Sequence, residues 1–231
     1  MFISNRLSKF LNREDAGQKL AQALNQFKGR SSDTIIVALP RGGVPVAYQV
    51  CKELSLPLDI VAPRKIGAPF NKEYAIGAIA ENGDGYLNDE VIRAINIPSD
   101  YLESEMKKQR DESIRRQKIY RCDRPPTAFT NKIIILVDDG IATGSTIKAA
   151  IASIKVKNPK EIIVAVPVAP KDALKELKSS GDVSHIECLY TPKIFEAVGC
   201  FYQDFDQTED DTVISLMSDK SFYPTIEKPQ Q

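Results

Sequence analysis

Five consecutive branched apolar residues, Ile133-Ile134-Ile135-Leu136-Val137, run without a break into Asp138-Asp139 and then into the small-residue turn Gly140-Ile141-Ala142-Thr143-Gly144-Ser145-Thr146. Such a run offers no polar face to water, so it reads as a parallel strand buried on both sides. In open sheets of such strands, ligands sit beyond the carboxyl ends, which is where the two aspartates stand. Their oxygens can accept hydrogen bonds from neighbouring hydroxyls such as a ribose diol. Gly140, Ala142 and Gly144 let backbone N–H groups close around an anion, and Thr143, Ser145 and Thr146 add hydroxyls. A helix opening near Ser145 turns its positive end to the same point. That order of groups suits a phosphorylated sugar. No Lys follows Gly144 as a nucleotide P-loop requires, and the dinucleotide G-x-G-x-x-G pattern is missing.

A second strand-turn-helix, Ala38-Leu39-Pro40-Arg41-Gly42-Gly43-Val44-Pro45, supplies another anion site. Its glycines bring backbone amides close, Arg41 offers a fork of donors matched to phosphate oxygens, and Pro45 suits the first turn of the next helix. A third stretch, Val61-Ala62-Pro63-Arg64-Lys65-Ile66-Gly67-Ala68-Pro69-Phe70-Asn71, ends an apolar run with two cations and continues as an expected loop, with the character of a mobile lid.

The first of these motifs resembles the signature of the type I phosphoribosyltransferases, in which a hydrophobic strand, two acids and a small-residue loop bind the ribose and 5-phosphate of phosphoribosyl pyrophosphate (PRPP). With the Pro63-to-Asn71 stretch it is similar to a subgroup of predicted bacterial members. The resemblance implies an α/β fold, a doubly wound parallel sheet with an inserted hood or helical subdomain, and assigns Asp138 and Asp139 to the ribose and residues 140 to 146 to the 5-phosphate. It gives Arg41, Gly42 and Gly43 the pyrophosphate, with a cis peptide near Arg41, and makes Lys65 or Arg64 a further cation toward the leaving group. In Pro192-Lys193-Ile194-Phe195-Glu196-Ala197-Val198-Gly199-Cys200-Phe201-Tyr202-Gln203-Asp204-Phe205 it implies, at slightly shifted spacing, Phe195 and Val198 beside the base and Asp204 on the Mg²⁺ side, acting indirectly. Hypoxanthine-type members carry an acid where this chain has Ala142, so the loop offers no general base.

The rest of the chain agrees with repeated βα units. Glu14 to Phe27 is helical, Thr34 to Leu39 and Leu58 to Ala62 are strands, and Val44 to Leu54 is a crossover helix. Ala75 to Ala80 and Gly85 to Asn88 form a short β excursion around Asn82-Gly83-Asp84-Gly85. After Ile133 to Val137 come a helix from Ser145, a strand from Ile162 to Val168, a helix from Lys171 to Lys178 and a strand from His185 to Tyr190. His185, in an apolar pattern, is expected as a core residue. Between Pro98 and Pro125 the composition turns charged and helical, with Asp100 and Glu103 as a capping box, Glu103–Lys107 and Glu112–Arg116 pairs, and a narrow stripe of Leu102, Met106, Ile114 and Ile119.

One domain over residues 1–231 is expected, with the hood inserted at about 71–126 and the stripe facing a homodimer partner. Lys plus Arg and Asp plus Glu number 31 each, so no basic field argues for nucleic acid or a membrane surface. Cys51, Cys122, Cys188 and Cys200 lack paired spacing and read as reduced cytoplasmic thiols. The expected activity is transfer of the 5-phosphoribosyl group from PRPP to a nitrogen acceptor, a nucleobase, with Mg²⁺ and release of pyrophosphate. The rival is a non-catalytic sensor of PRPP or a nucleotide.

Overall fold

This computed structural model describes residues 9–79 and 85–224, and opens with helix α1 (Arg13–Ala23), strand β1 (Thr34–Ala38), helix α2 (Gly43–Leu54) and strand β2 (Leu58–Ile60). Strands β3 (Arg64–Ala68), β4 (Asn71–Ile79) and β5 (Gly85–Leu87) follow, then helices α3 (Asp89–Ala94) and α4 (Ser99–Tyr120). The alternation resumes with β6 (Ile133–Val137), α5 (Ser145–Lys155), β7 (Glu161–Val168), α6 (Lys171–Ser179) and β8 (His185–Tyr190), and α7 (Asp210–Met217) comes near the end.

The central sheet has the order β2-β1-β6-β7-β8, and every neighbouring pair is parallel. The chain steps outward from β1 to β2, then returns to lay β6 on the other side of β1 and builds outward again. The direction of winding therefore reverses between β1 and β6, the point where such sheets open a crevice for ligands. Both strands are buried throughout, because alternate side chains serve opposite faces. Ile36, Ala38, Ile133, Ile135 and Val137 join Leu20, Val50, Val213 and Met217 from α1, α2 and α7. Ile35, Val37, Ile134 and Leu136 join Ile147, Ile151 and Ile154 of α5 on the other face. Each buried Ile, Leu, Val or Met among them contributes roughly 1.5–3 kcal/mol by leaving water, which holds the two strand ends in fixed register beneath the crevice.

Strands β3, β4 and β5 make a separate antiparallel sheet. Its apolar face, with Ile66, Ala68, Ile76 and Ile79, packs against Val91 and Ile92 of α3 and Tyr101, Leu102 and Met106 of α4. The stretch after Lys65 is thus strand rather than the expected loop, since Ile66 and Ala68 have an apolar face to join. The expected turn residues Asn82, Gly83 and Asp84 lie outside the described residues.

Helix α4 also departs from expectation. It begins at Ser99 with Pro98 as its N-cap, so Asp100 caps nothing and instead lies in the acidic first turn. Lys107 pairs with Asp111 rather than Glu103, while Glu112–Arg116 forms as expected. The apolar stripe splits: Leu102 and Met106 pack on the second sheet, but Ile114 and Ile119 are 44% and 37% exposed. The buried face is largely polar, with Glu105, Ser113, Gln117 and Tyr120. It is tolerated because most of these groups find partners, Gln117 Nε2 being the one buried side-chain polar atom without one among the described residues. Lys72 donates to Glu105 at 3.0 Å and Ser113 Oγ to the Ala62 carbonyl at 2.7 Å. Arg121 donates to Gln117 and, at 2.7 Å, to buried Asp59. His185 is also corrected: on the edge strand β8 its side chain is 55% exposed, 3.5 Å from Glu187.

Candidate active site

The carboxyl ends of β1 and β6 stay paired one residue beyond the strands, where Leu39 N–H donates to the Val137 carbonyl at 2.9 Å. The two glycine loops then meet. A Cβ added to Gly42 would stand 2.0 Å from Asp139 Oδ2, and one added to Gly43 would stand 2.8 Å from the Val137 oxygen and 3.1 Å from Asp138 Oδ1. Both carboxylates therefore lie against the Arg41-Gly42-Gly43 loop, and only glycine leaves room for them. The Pro40–Arg41 peptide bond is cis, in keeping with the expectation near Arg41.

The acidic pair is asymmetric. Asp139 Oδ2 accepts from Arg13 Nε at 2.8 Å, and its main-chain oxygen accepts from the Tyr202 hydroxyl at 2.6 Å. Asp138 Oδ1 accepts from the Asp139 N–H at 2.9 Å. Burial and then the neighbouring Asp139 charge push the Asp138 carboxyl well above the usual range. Burial also raises Asp139, opposed by Arg13. Burial, followed by the Asp139 charge, likewise raises the Tyr202 phenol.

Beyond the pair, Gly140 packs so closely that a Cβ would meet Val198 Cγ1 at 2.6 Å. Ile141 anchors the loop: its side chain is buried and its N–H donates to the Val168 carbonyl at 2.9 Å. Ala142, Thr143 and Thr146 are exposed, while Thr143 and Ser145 hydroxyls lie 3.1 Å apart. Gly144, with φ +77°, is the N-cap of α5 and supplies no side-chain cap. A left-handed residue there suits glycine, and the uncapped first-turn N–H groups are open to an anion.

Arg41, which the resemblance gives to the pyrophosphate, has its Nη1 3.4 Å from Asp210 Oδ1 and 3.6 Å from Glu209 Oε2, at the start of α7. Asp210 also accepts from the Tyr120 hydroxyl at 2.6 Å. Burial, reinforced by that bond, pushes the Tyr120 phenol up to about 12. Lys65 is half-buried on β3 of the second sheet, sharing a face with Ala78, its register partner. Arg64 Nε donates to Gln109 of α4 at 3.1 Å.

Phe195 stacks on Phe201, with ring centres 5.4 Å apart and planes at 28°. Val198 lies nearer the loop that follows Asp139, against Gly140. Asp204 is exposed, and its Oδ1 accepts from Asp206 N–H at 3.3 Å. Arg13 and Tyr202 stand at this site without a signal in the sequence. Arg13 reaches Asp139 across 126 residues, so no local pattern announces it. Tyr202 lies inside the aromatic motif but carries no residue-type signal of its own.

A parallel sheet with an acidic pair and a helix N-terminus at its switch point has the layout of a protein suited to a phosphorylated ligand. The family model described as phosphoribosyl transferase domain matches residues 5–204, and the chain belongs to that family. A Mycobacterium tuberculosis protein named "Putative phosphoribosyl transferase" is 41% identical over 90% of this chain. The alignment spans 46% of that relative, so the chain corresponds to about half its length. The crystal structure of TT1426 from Thermus thermophilus superposes with a TM-score of 0.77 at 38% identity, covering 90% of this chain and 97% of that one. A uracil phosphoribosyltransferase of Malacoplasma penetrans is more distant, 29% identical over 58% of this chain and 65% of its own. The fold is that of the type I phosphoribosyltransferases, as the sequence resemblance implied.

Proposed function

We propose that this protein transfers the 5-phosphoribosyl group of PRPP to a nitrogen acceptor, a nucleobase, releasing pyrophosphate. The observation that carries the reading is the packing of Gly42 and Gly43 against Asp139 and Asp138, with the uncapped N-terminus of α5 following directly. On this reading Asp138 and Asp139 accept hydrogen bonds from the ribose diol. Gly140, Ile141, Ala142, Thr143, Gly144, Ser145 and Thr146 hold the 5-phosphate. Arg41, Gly42 and Gly43 receive the pyrophosphate, with Lys65 as a further cation and Phe195 and Val198 on the base side.

In the reaction the C1–oxygen bond breaks with its electron pair going to pyrophosphate. The acceptor nitrogen forms the new C1–N bond with its lone pair and gives its proton to solvent. Fixed donors around the leaving group stabilise the charge that develops there, and holding both reactants in line removes much of the entropic barrier. Ala142 carries no acid or base, so the loop itself moves no proton.

The donor set fits Mg²⁺. Asp138 and Asp139 are adjacent hard oxygen donors, the kind of ligand this cation takes. Asp138 and Asp139 would hold it on the ribose side, and Asp204 would act on it indirectly. When bound, it neutralises charge on pyrophosphate.

We read the protein as a cytoplasmic homodimer acting on small molecules, without nucleic-acid or membrane partners. No helix among the described residues is long and apolar enough to cross a membrane. The test is calorimetric titration with Mg²⁺-PRPP together with pyrophosphate release across a panel of nucleobases and amines that includes uracil. Base-dependent release supports transfer. Binding without release across the panel supports a sensor, and failure to bind PRPP overturns both.

A further inference from the structure

Arg13, in the first turn of α1, is held on three sides. Its Nε donates to Asp139 Oδ2 at 2.8 Å, its Nη1 donates to the Asp206 carbonyl at 2.7 Å, and its guanidinium lies 3.9 Å from the centre of the Phe205 ring. The side chain is only 13% exposed. Asn12 caps the helix by accepting from Asp15 N–H at 2.9 Å, which fixes the turn from which Arg13 projects.

The same point is braced from the other end of the described chain. Phe10 pairs with Tyr202 by a parallel bridge, Gln203 N–H donates to the Phe10 carbonyl at 2.9 Å, and Tyr202 in turn bonds the main chain of Asp139. The Gly42 loop leans on this pair. The point where a Gly42 Cβ would fall is 2.0 Å from Asp139 Oδ2 and 3.3 Å from Arg13 Nε. A guanidinium suits this place because its planar fork has fixed directions and keeps its charge when desolvated, whereas an ammonium is a hydrated point charge.

We infer that Arg13 is a positioning residue of the ribose site: it pins Asp139 Oδ2 beneath Gly42, and so sets which carboxylate oxygens meet the ribose diol and how closely the pyrophosphate loop approaches. The inference rests on the phosphoribosyl-transfer reading. Arg13 itself touches the carboxylate and not the substrate.

The test compares wild type, Arg13→Gln and Arg13→Lys in Mg²⁺-PRPP calorimetry, steady-state kinetics and thermal melting. Removing a part-buried charge-assisted bond should weaken PRPP binding in Arg13→Gln by about tenfold to a hundredfold. KM for PRPP should rise with it while KM for the acceptor stays, and Arg13→Lys, which restores the charge without the fork, should fall between the two. A folded Arg13→Gln with wild-type PRPP affinity overturns the inference. If Arg13→Gln does not fold, folded Arg13→Lys decides: weakened PRPP binding supports the role and unchanged binding overturns it. Wild-type protein that does not bind PRPP overturns the phosphoribosyl reading itself and this role with it, whereas wild-type binding with unaffected variants overturns only Arg13.

Discussion

Gly42 and Asp139 fit against each other with no space for a side chain: a Cβ on Gly42 would lie 2.0 Å from Asp139 Oδ2 and 2.7 Å from its Cγ. Gly42 has φ −60° and ψ −30°, a conformation any residue adopts. Its glycine is therefore required by the carboxylate and not by the backbone.

Gly42→Ala should accordingly act by displacement. Forcing a methyl into a filled site costs roughly 1–3 kcal/mol, and the loop and the Asp139 side chain must separate to accept it. A lower melting temperature with weakened PRPP binding is expected. Wild-type values for both would show that the contact is not maintained in solution.

Asp138 predicts a pH dependence of stability. Its folded carboxyl ionises well above the ordinary range, because burial and the Asp139 charge oppose ionisation. As pH rises from about 4, the unfolded chain releases this proton while the folded chain still holds it, so the folded state binds more protons and stability falls. The fall continues until the raised folded value is reached. Asp138→Asn should flatten this part of a urea-stability profile, and an unaltered slope would assign the dependence to other groups.

Arg41→Ala should raise KM for PRPP far more than it lowers the melting temperature. Its contacts to Asp210 and Glu209, 3.4 and 3.6 Å, are long, and the acids are 45% and 63% exposed. Pairs of this kind contribute about 0–1 kcal/mol. Large destabilisation with normal kinetics would make Arg41 a structural partner of α7 instead.

The buried Asp59–Arg121 pair should behave in the opposite way. Arg121 also donates to the Ile60 carbonyl at 2.8 Å, and Asp59 accepts from Thr127 N–H at 3.1 Å. Arg121→Ala leaves a buried carboxylate without its cation, a loss of roughly 3–5 kcal/mol. Urea denaturation measures it directly, and a loss below about 1 kcal/mol, the range of exposed pairs, would contradict the burial.

Met106 and Ile114 separate packing from association. Met106 packs on the second sheet and Ile114 is 44% exposed. Met106→Glu should destabilise the protein by roughly 1–2 kcal/mol, because it puts a charge into a partly buried apolar contact. Ile114→Glu should leave the melting temperature of the chain nearly unchanged and lower the mass seen by light scattering if α4 faces a partner copy. An unchanged mass would remove this face from any dimer.

The local order of this protein was legible in its residues. Unbroken Ile and Val runs can satisfy only a strand covered on both faces, and β1, β6 and β7 are such strands. Glycines and hydroxyls after Asp139 could only form a turn into a helix, and α5 begins at Ser145. These are short-range effects, set by sterics and by where each segment can hide apolar surface. Helix α7 had an acidic first turn and buried Val213 and Met217 to announce it, yet its role became visible only when Asp210 stood beside Arg41. The same holds for Arg13, whose value lies wholly in a partner 126 residues away. The face of α4 that is buried could not be read from hydrophobicity, because Glu105, Ser113 and Gln117 are polar. Their burial is tolerable only where Lys72, the Ala62 carbonyl and Arg121 stand ready to meet them. Sequence settled which segments form a strand and a glycine-rich turn into a helix, since those preferences are local. Tertiary structure alone decided which charges face one another, because pairing a buried charge depends on groups that the chain brings together only after it folds.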